Sequence, residues 1–284
     1  STQLITSTFK DAWEQRAPDT GLIFHSDRGA QYTSHRFRQL LHERAVVQSF
    51  SNSRKPHGNA VAESFFATLK KEDLYRETGL KALREGKVGA ILLAGGQGTR
   101  LGFDKAKGMF NIGVTKTLYI FEQLIKNLMQ VKHEAGVWIP LYIMTSEKND
   151  AQTRAFFEEH DFFGYDSSYV KFFVQEMVPA VDFDGNILME SEDSLAMSPN
   201  GNGGWFKSML RAHLDEDIRT RGIEWLNVFA VDNVLQRIAD PVFVGATILS
   251  GCVCGSKVVR KVSPYERVGA MCLEDGKPVS YTHL

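Results

Sequence analysis

The stretch "KVGAILLAGGQGTRLGFDKAKG", residues 87–108, decides how the chain is read. Its first half is an unbroken apolar run, the pattern of a parallel strand buried on both faces. The run empties into a loop in which Gly95, Gly96, Gly98 and Gly102 let the backbone turn tightly and bring N–H groups against phosphate oxygens. Arg100, Lys105 and Lys107 follow, cations suited to clamping a polyphosphate and neutralising charge at a reacting phosphorus. The common fingerprints are not met: Leu101 stands where G-x-G-x-x-G begun at Gly96 needs glycine, and G-x-x-x-x-G-K-[ST] is missing too. A purely structural glycine turn flanked by surface lysines is the alternative.

Downstream the pattern alternates. "TLYIFEQLIKNLMQV" (117–131) and "DAQTRAFFEEH" (150–160) read as helices, and "IPLYIMTS" (139–146) and "YVKFFVQE" (169–176) as strands. "SPNGNGGWFKSMLRAHL" (198–214) is a second glycine loop leading into a helix. "WLNVFAVDN" (225–233) is a strand that carries Asp232 at its carboxyl end, and "VLQRIAD" (234–240) a short helix stopped by Pro241. Open α/β sheets bind ligands outside the carboxyl ends of their strands, so Asp232 either holds Mg²⁺ on a nucleotide or caps the helix that follows.

Taken together, "LLAGGQGTRLGFDKAKGMF" (92–110), "FFVQEM" (172–177), "SPNGNGGWF" (198–206), "VFAVDNVLQRIADPVFVG" (228–245) and "SKVVRKVSPYERVG" (256–269) resemble the UDP-sugar pyrophosphorylases. Among these the UDP-N-acetylglucosamine pyrophosphorylase branch is the most similar, over about Gly79 to Pro278. The resemblance implies a Rossmann-like nucleotidyltransferase core, a mostly parallel sheet with flanking helices, joining UTP to a sugar 1-phosphate with release of pyrophosphate and with Mg²⁺ across the phosphates. It further implies that Gly95 and Gly96 cradle the nucleotide and that Arg100 and Lys107 hold the triphosphate. Gln175 would read uracil, Gly201 and Asn202 would contact uracil and sugar, and Asp232 would bind the metal. Two departures stand out: Ala106 occupies a position where the family has Pro, and the family continues beyond the end of this sequence, so its sugar site is expected to be incomplete here. The closing "VSYTHL" (279–284) also leaves the family's wording and reads as translated adapter sequence or as an edge strand.

Residues 1–78 use another vocabulary. "GLIFHSD" and "VVQSFS" read as short strands and "HRFRQLLHERA" as a helix capped by Ser34. "AVAESFFATLKKEDLY" is a helix capped by Asn59 with Phe65, Phe66 and Leu69 on its core side, so the order is strand, helix, strand, helix. Asp27 ends the first strand, Glu63 lies 36 positions later in the last helix, and Lys70 shares that helix face, as a two-metal site beside a DNA phosphate would require. Two acids at such a separation are also common by chance. "IFHSDRGAQYTSHRFRQLL" (23–41) and "SFSNSRKPHGNAVAESFFATLKKE" (49–72) resemble insertion-sequence transposases of the retroviral-integrase type, with a ribonuclease-H-like fold. The resemblance makes Asp27 and Glu63 the second and third acids of a DDE triad whose first acid belongs on an earlier strand, so an incomplete, inactive fragment is expected.

Charge agrees mildly with this division: residues 1–78 hold 11 Lys and Arg against 9 Asp and Glu, the remainder 22 against 25. DNA contact by residues 1–78 is therefore an open expectation. Cys252, Cys254 and Cys272 form no redox or zinc pattern and read as reduced thiols of a cytoplasmic protein. The longest apolar run, "VFVGATILSGCV" (242–253), is too short to span a bilayer. The domains expected are thus 1–78 and 79–284, meeting at Thr78–Gly79 without a spacer, a seam between gene fragments that a helix crosses or breaks at without packing the two parts together.

Overall fold

The computed structural model describes residues 1–18, 21–51, 60–263, 270–274 and 277–281. Asn59, expected to cap a helix, and the basic stretch "NSRKPHG" (52–58) before it lie outside these.

The chain opens on a helix that the sequence reading did not foresee, α1 (Thr2–Arg16), followed by β1 (Ile23–Ser26), α2 (His35–Glu43) and β2 (Val47–Phe50). β-branched threonines give α1 poor helical propensity. Packing decides it: Ile5, Phe9 and Trp13 recur every four residues and cover a cluster of Phe37, Leu40, Leu41 and Val46. Phe9 meets Phe24 and Phe37 edge-on at 5.7 and 5.8 Å. Ser34 caps α2 as expected, accepting from the Phe37 amide at 3.4 Å. β1 and β2 pair in parallel, Ile23 opposite Val47.

A single 25-residue helix, α3 (Ala60–Arg84), runs through the Thr78–Gly79 position. Its first half corrects the expected core face: Phe65 and Leu69 are 60% and 42% exposed. The side chain of Phe66 lies outside the described residues.

The second half of α3 leads into a parallel sheet built from β3 (Val88–Leu93), β4 (Leu141–Thr145), β5 (Val170–Val174) and β10 (Trp225–Ala230). Between them come α4 (Ile120–Ala135), α5 (Asp150–Glu159), an arm of short antiparallel strands β6 (Met177–Pro179), β7 (Met189–Ser191), β8 (Ser194–Leu195) and β9 (Met197–Pro199), then α6 (Trp205–Arg211) and α7 (Leu214–Thr220). α8 (Pro241–Leu249) follows, with β11 (Ala270–Glu274) and β12 (Lys277–Tyr281) forming a hairpin. The end of the chain thus supplies a strand, as one of the two readings of "VSYTHL" had it, with residues 282–284 outside the described set.

All six residues of β3 and all five of β4 are buried. Alternation sends Ala90 and Leu92 to a layer with α3, α4 and α8, and Ile91 and Leu93 to a layer with α6 and α7. The apolar run around Val242 is α8, and Pro241 starts it rather than stopping a helix before it: residues 232–240 form turns. Proline's missing N–H costs nothing at the first helical position, and Asp240 caps the Val242 amide at 3.2 Å.

The expectation that nothing would pack across Thr78–Gly79 is also corrected. α3 and α8 cross so closely that a Cβ on Gly245 would stand 1.8 Å from the Tyr75 carbonyl oxygen, and one on Gly79 1.9 Å from that of Pro241. Arg76 adds an ion pair to Glu134 of α4 at 2.7 Å. Cys252 and Cys254 are exposed free thiols, and no helix among the described residues is long and apolar enough to cross a membrane.

Candidate functional site

The sheet order is β10-β3-β4-β5. The chain moves outward from β3 through β4 to β5, then returns to lay β10 on the other side of β3. The order therefore reverses between β3 and β10, and loops leaving these two strands in opposite directions open a crevice at their carboxyl ends. Leu93 lies opposite Ala230 in the register, so both chains leave the sheet at one level.

From β3 the chain passes through Gly95 and folds back on itself. Gly98 N–H donates to the Lys105 carbonyl at 2.9 Å and Lys107 N–H to the Gly96 carbonyl at 3.3 Å, which returns Lys107 to the mouth of β3. From β10, Val231 N–H donates to the Leu93 carbonyl at 3.1 Å, and Asp232 comes next. Lys107 Nζ donates to Asp232 Oδ1 across the opening. A cavity of about 300 Å³ lies here, lined by Gly96, Gln97, Gly98, Thr99, Lys107, Asn202, Val231 and Asp232 among others.

A second set stands beside it. Gln175 is 5% exposed, just past β5, and its Nε2 donates to the Gly201 carbonyl at 2.7 Å. A Cβ on Gly95 would lie 2.6 Å from Gln175 Oε1, so any larger residue here would displace the Gln175 amide. Gly201 adopts φ 71°, a left-handed conformation natural to glycine, and starts the single turn Asn202–Gly204. Gly96, Lys107, Asn202 and Asp232 thus share one cavity, and Gly95, Gln175 and Gly201 form an adjoining chain of contacts. Arg100 lies in the turn Thr99–Leu101 at the cavity's edge, its side chain outside the described residues.

Asp232 pairs with Lys107 and is followed by turns, so no helix follows for it to cap. Among the described residues there is no group of three or more metal-binding side chains. Asp232 is a single carboxylate, 61% exposed at the cavity. Such a donor fits Mg²⁺, which is commonly held by one or two carboxylates together with substrate phosphates.

Sequence reasoning missed Asn149. It is fully buried, its Nδ2 donates to the Ala94 carbonyl at 3.1 Å and its Oδ1 accepts from the Ser146 amide at 2.8 Å, tying the ends of β3 and β4 together. Its signal was the Ser-x-x-Asn turn at the end of an apolar strand.

The other pair of acids, Asp27 and Glu63, is described only in part. Asp27 is exposed and accepts from the Gly29 amide at 2.9 Å, a local turn. Glu63 lies in α3 with its side chain outside the described residues, and Lys70 is exposed on the same helix.

Residues 34–281 match the family described as UTP--glucose-1-phosphate uridylyltransferase. The chain belongs to that family. A human UDP-N-acetylhexosamine pyrophosphorylase-like protein 1 is 42% identical over 218 residues, 74% of this chain and 43% of its own. The UDP-N-acetylglucosamine pyrophosphorylase of Saccharomyces cerevisiae is 40% identical over 256 residues, covering 85% of this chain and 54% of its own. This chain therefore spans about half the length of the curated relatives it matches. The fold is similar to the crystal structure of the Trypanosoma brucei uridine diphosphate N-acetylglucosamine pyrophosphorylase in complex with inhibitor: TM-score 0.67, 30% identity, 81% of this chain and 47% of that one. Residues 1–56 match a second family, the integrase core domain. The two matches overlap over residues 34–56.

Proposed function

We propose that this chain carries the nucleotide-binding half of a uridylyltransferase that joins UTP to a sugar 1-phosphate, N-acetylglucosamine 1-phosphate by the names of its relatives. The observation that carries the reading is the convergence of Gly96, Lys107, Asn202 and Asp232 on the cavity where the strand order reverses. In this reading Gly95 and Gly96 receive the nucleotide, and Gln175 with Gly201 and Asn202 faces the uracil and sugar. Lys107 and Arg100 meet the triphosphate. A sugar phosphate oxygen attacks the α-phosphorus in line; the new P–O bond forms as the bond to the bridging oxygen breaks, and that oxygen leaves with pyrophosphate. Positioning and charge neutralisation do most of the work. Asp232 would hold Mg²⁺, which when bound offsets charge on the phosphates. Before that, Lys107 and Asp232 must give up each other.

The test is pyrophosphate release from UTP and N-acetylglucosamine 1-phosphate by the purified chain with Mg²⁺. If Lys107→Ala leaves an observed release unchanged, this account of the loop is wrong. We also propose a cytoplasmic setting, where the exposed thiols Cys252 and Cys254 stay reduced.

A second reading rests on the integrase core match: residues 1–78 as a transposase remnant of separate origin from 79–284, a chimera able to touch DNA. Retention on DNA that falls steeply with salt supports it, and binding insensitive to salt sinks it.

A further inference from the structure

We infer that Ser208 and Glu176, which no part of the uridylyltransferase reading uses, are positioning residues that hold the Gly201–Asn202 loop over the nucleotide cavity; the inference rests on that reading. Ser208 is 3% exposed in the first turns of α6, and its hydroxyl bridges two backbones. It accepts from the Glu176 amide at 2.9 Å and donates to the Gly204 carbonyl at 3.0 Å. The Glu176 carbonyl in turn accepts from the Asn200 amide at 3.1 Å, so both ends of the glycine loop are tied to the residue that follows Gln175. Gln175 itself reaches the middle of the loop at the Gly201 carbonyl.

The side chain of Glu176 fixes the same junction. It is 10% exposed, with Oε1 2.5 Å from Arg211 Nη1 and 3.4 Å from Lys207 Nζ, both on α6. Oε2 is buried without a hydrogen-bond partner. A carboxylate kept in so poor a setting is costly to hold, and the two cations that offset the cost lie on the helix whose start carries the loop. Glu176 thus couples the end of β5 to α6, and Ser208 transmits that coupling to the Gly204 end of the loop. Gly201 has φ 71° and Gly203 has open space around its α-carbon, and inside the loop the Gly204 amide donates to the Gly201 carbonyl at 3.2 Å and the Trp205 amide to the Asn202 carbonyl. Loss of the outer ties leaves the Gln175 bond and these local turn bonds to hold it.

The test uses the full chain and the variants Ser208→Ala and Glu176→Gln, both close to isosteric and chosen to fold. Two quantities are read: hydrogen exchange at the Asn200 and Gly204 amides without nucleotide, and the ratio of UTP to CTP affinity by calorimetry. Each variant is expected to exchange these amides roughly tenfold faster, with β3 and β4 amides unchanged, and to lose most of any preference for UTP. Unchanged exchange at the loop overturns the proposal. Faster exchange with the UTP preference intact also overturns it, since the ties would then be structural only. If the wild-type chain binds nucleotide without preferring UTP while the variants loosen the loop as stated, the ties stand and the uridylyltransferase reading is what fails.

Discussion

The two parallel sheets among the described residues meet water very differently. In the N-terminal pair β1–β2, Ile23 and Val47 are 64% and 58% exposed, and order comes from one aromatic cluster under α1 and α2. In the central sheet, Ile91 and Ile143 are fully buried because helices cover both faces. A parallel sheet needs both faces covered to be stable, so its strand ends become fixed only where that cover exists. The residues proposed to meet a nucleotide stand at the ends of the sheet with helices on both faces, whereas Asp27 follows a strand of the more exposed pair.

Breaking each sheet separately should expose the contrast. Phe37→Ala removes the centre of the N-terminal cluster at a cost of about 4 kcal/mol, and loss of that unit's near-ultraviolet aromatic signal without loss of nucleotide binding is the expected result. Lys107→Ala should lower pyrophosphate release by about a hundredfold, close to 3 kcal/mol of charge stabilisation, while the melting temperature holds. Gly245→Ala forces α8 off α3 and should cost about 2 kcal/mol, read as a lower melting temperature of the central sheet; an unchanged temperature would mean that the helices do not cross as described.

A smaller effect follows from Asp217, which takes a hydrogen bond from Tyr142 at 2.7 Å and ion pairs from Lys171 at 2.7 Å and Arg221 at 3.0 Å. Burial acts to raise its carboxyl, but the Lys171 and Tyr142 hydrogen bonds and the charges of Arg221 and Lys171 together outweigh burial and hold it below the ordinary carboxylate value. A depressed folded value contributes stability above the unfolded one, near pH 4, and that stability is lost as pH falls through the folded value. Asp217→Asn should cost about 1 kcal/mol at pH 7 and flatten the acid limb of a stability curve. The smallest change tests the family's proline: Ala106 has φ −54°, within proline's range, so Ala106→Pro should add about 0.5 kcal/mol in thermal melts.

Much of the central unit was legible. Runs such as "VGAILL" and "LYIMT" are so uniformly apolar that only a doubly covered strand accommodates them, and the glycine loops could be named because glycine has few other uses at strand ends. What could not be read were features depending on a distant surface. α1 is helical because of a cluster it meets in space. Phe65 and Leu69 look like core residues by spacing, yet both are exposed, since helical spacing gives the side of a helix and not whether another element packs there. Pro241 reads locally as a stop or as a start, because its rule has two signs, and the Asp240 cap selects the start.

By itself, then, the sequence determined the period and type of the central elements and the chemical character of the residues at their ends, since both follow from local spacing and side-chain chemistry. The tertiary structure decided which of those ends meet. Strand order, set by how helices pack over both faces, is what brings Lys107 to Asp232 across 125 positions of chain and holds Gln175 against Gly95 and Gly201.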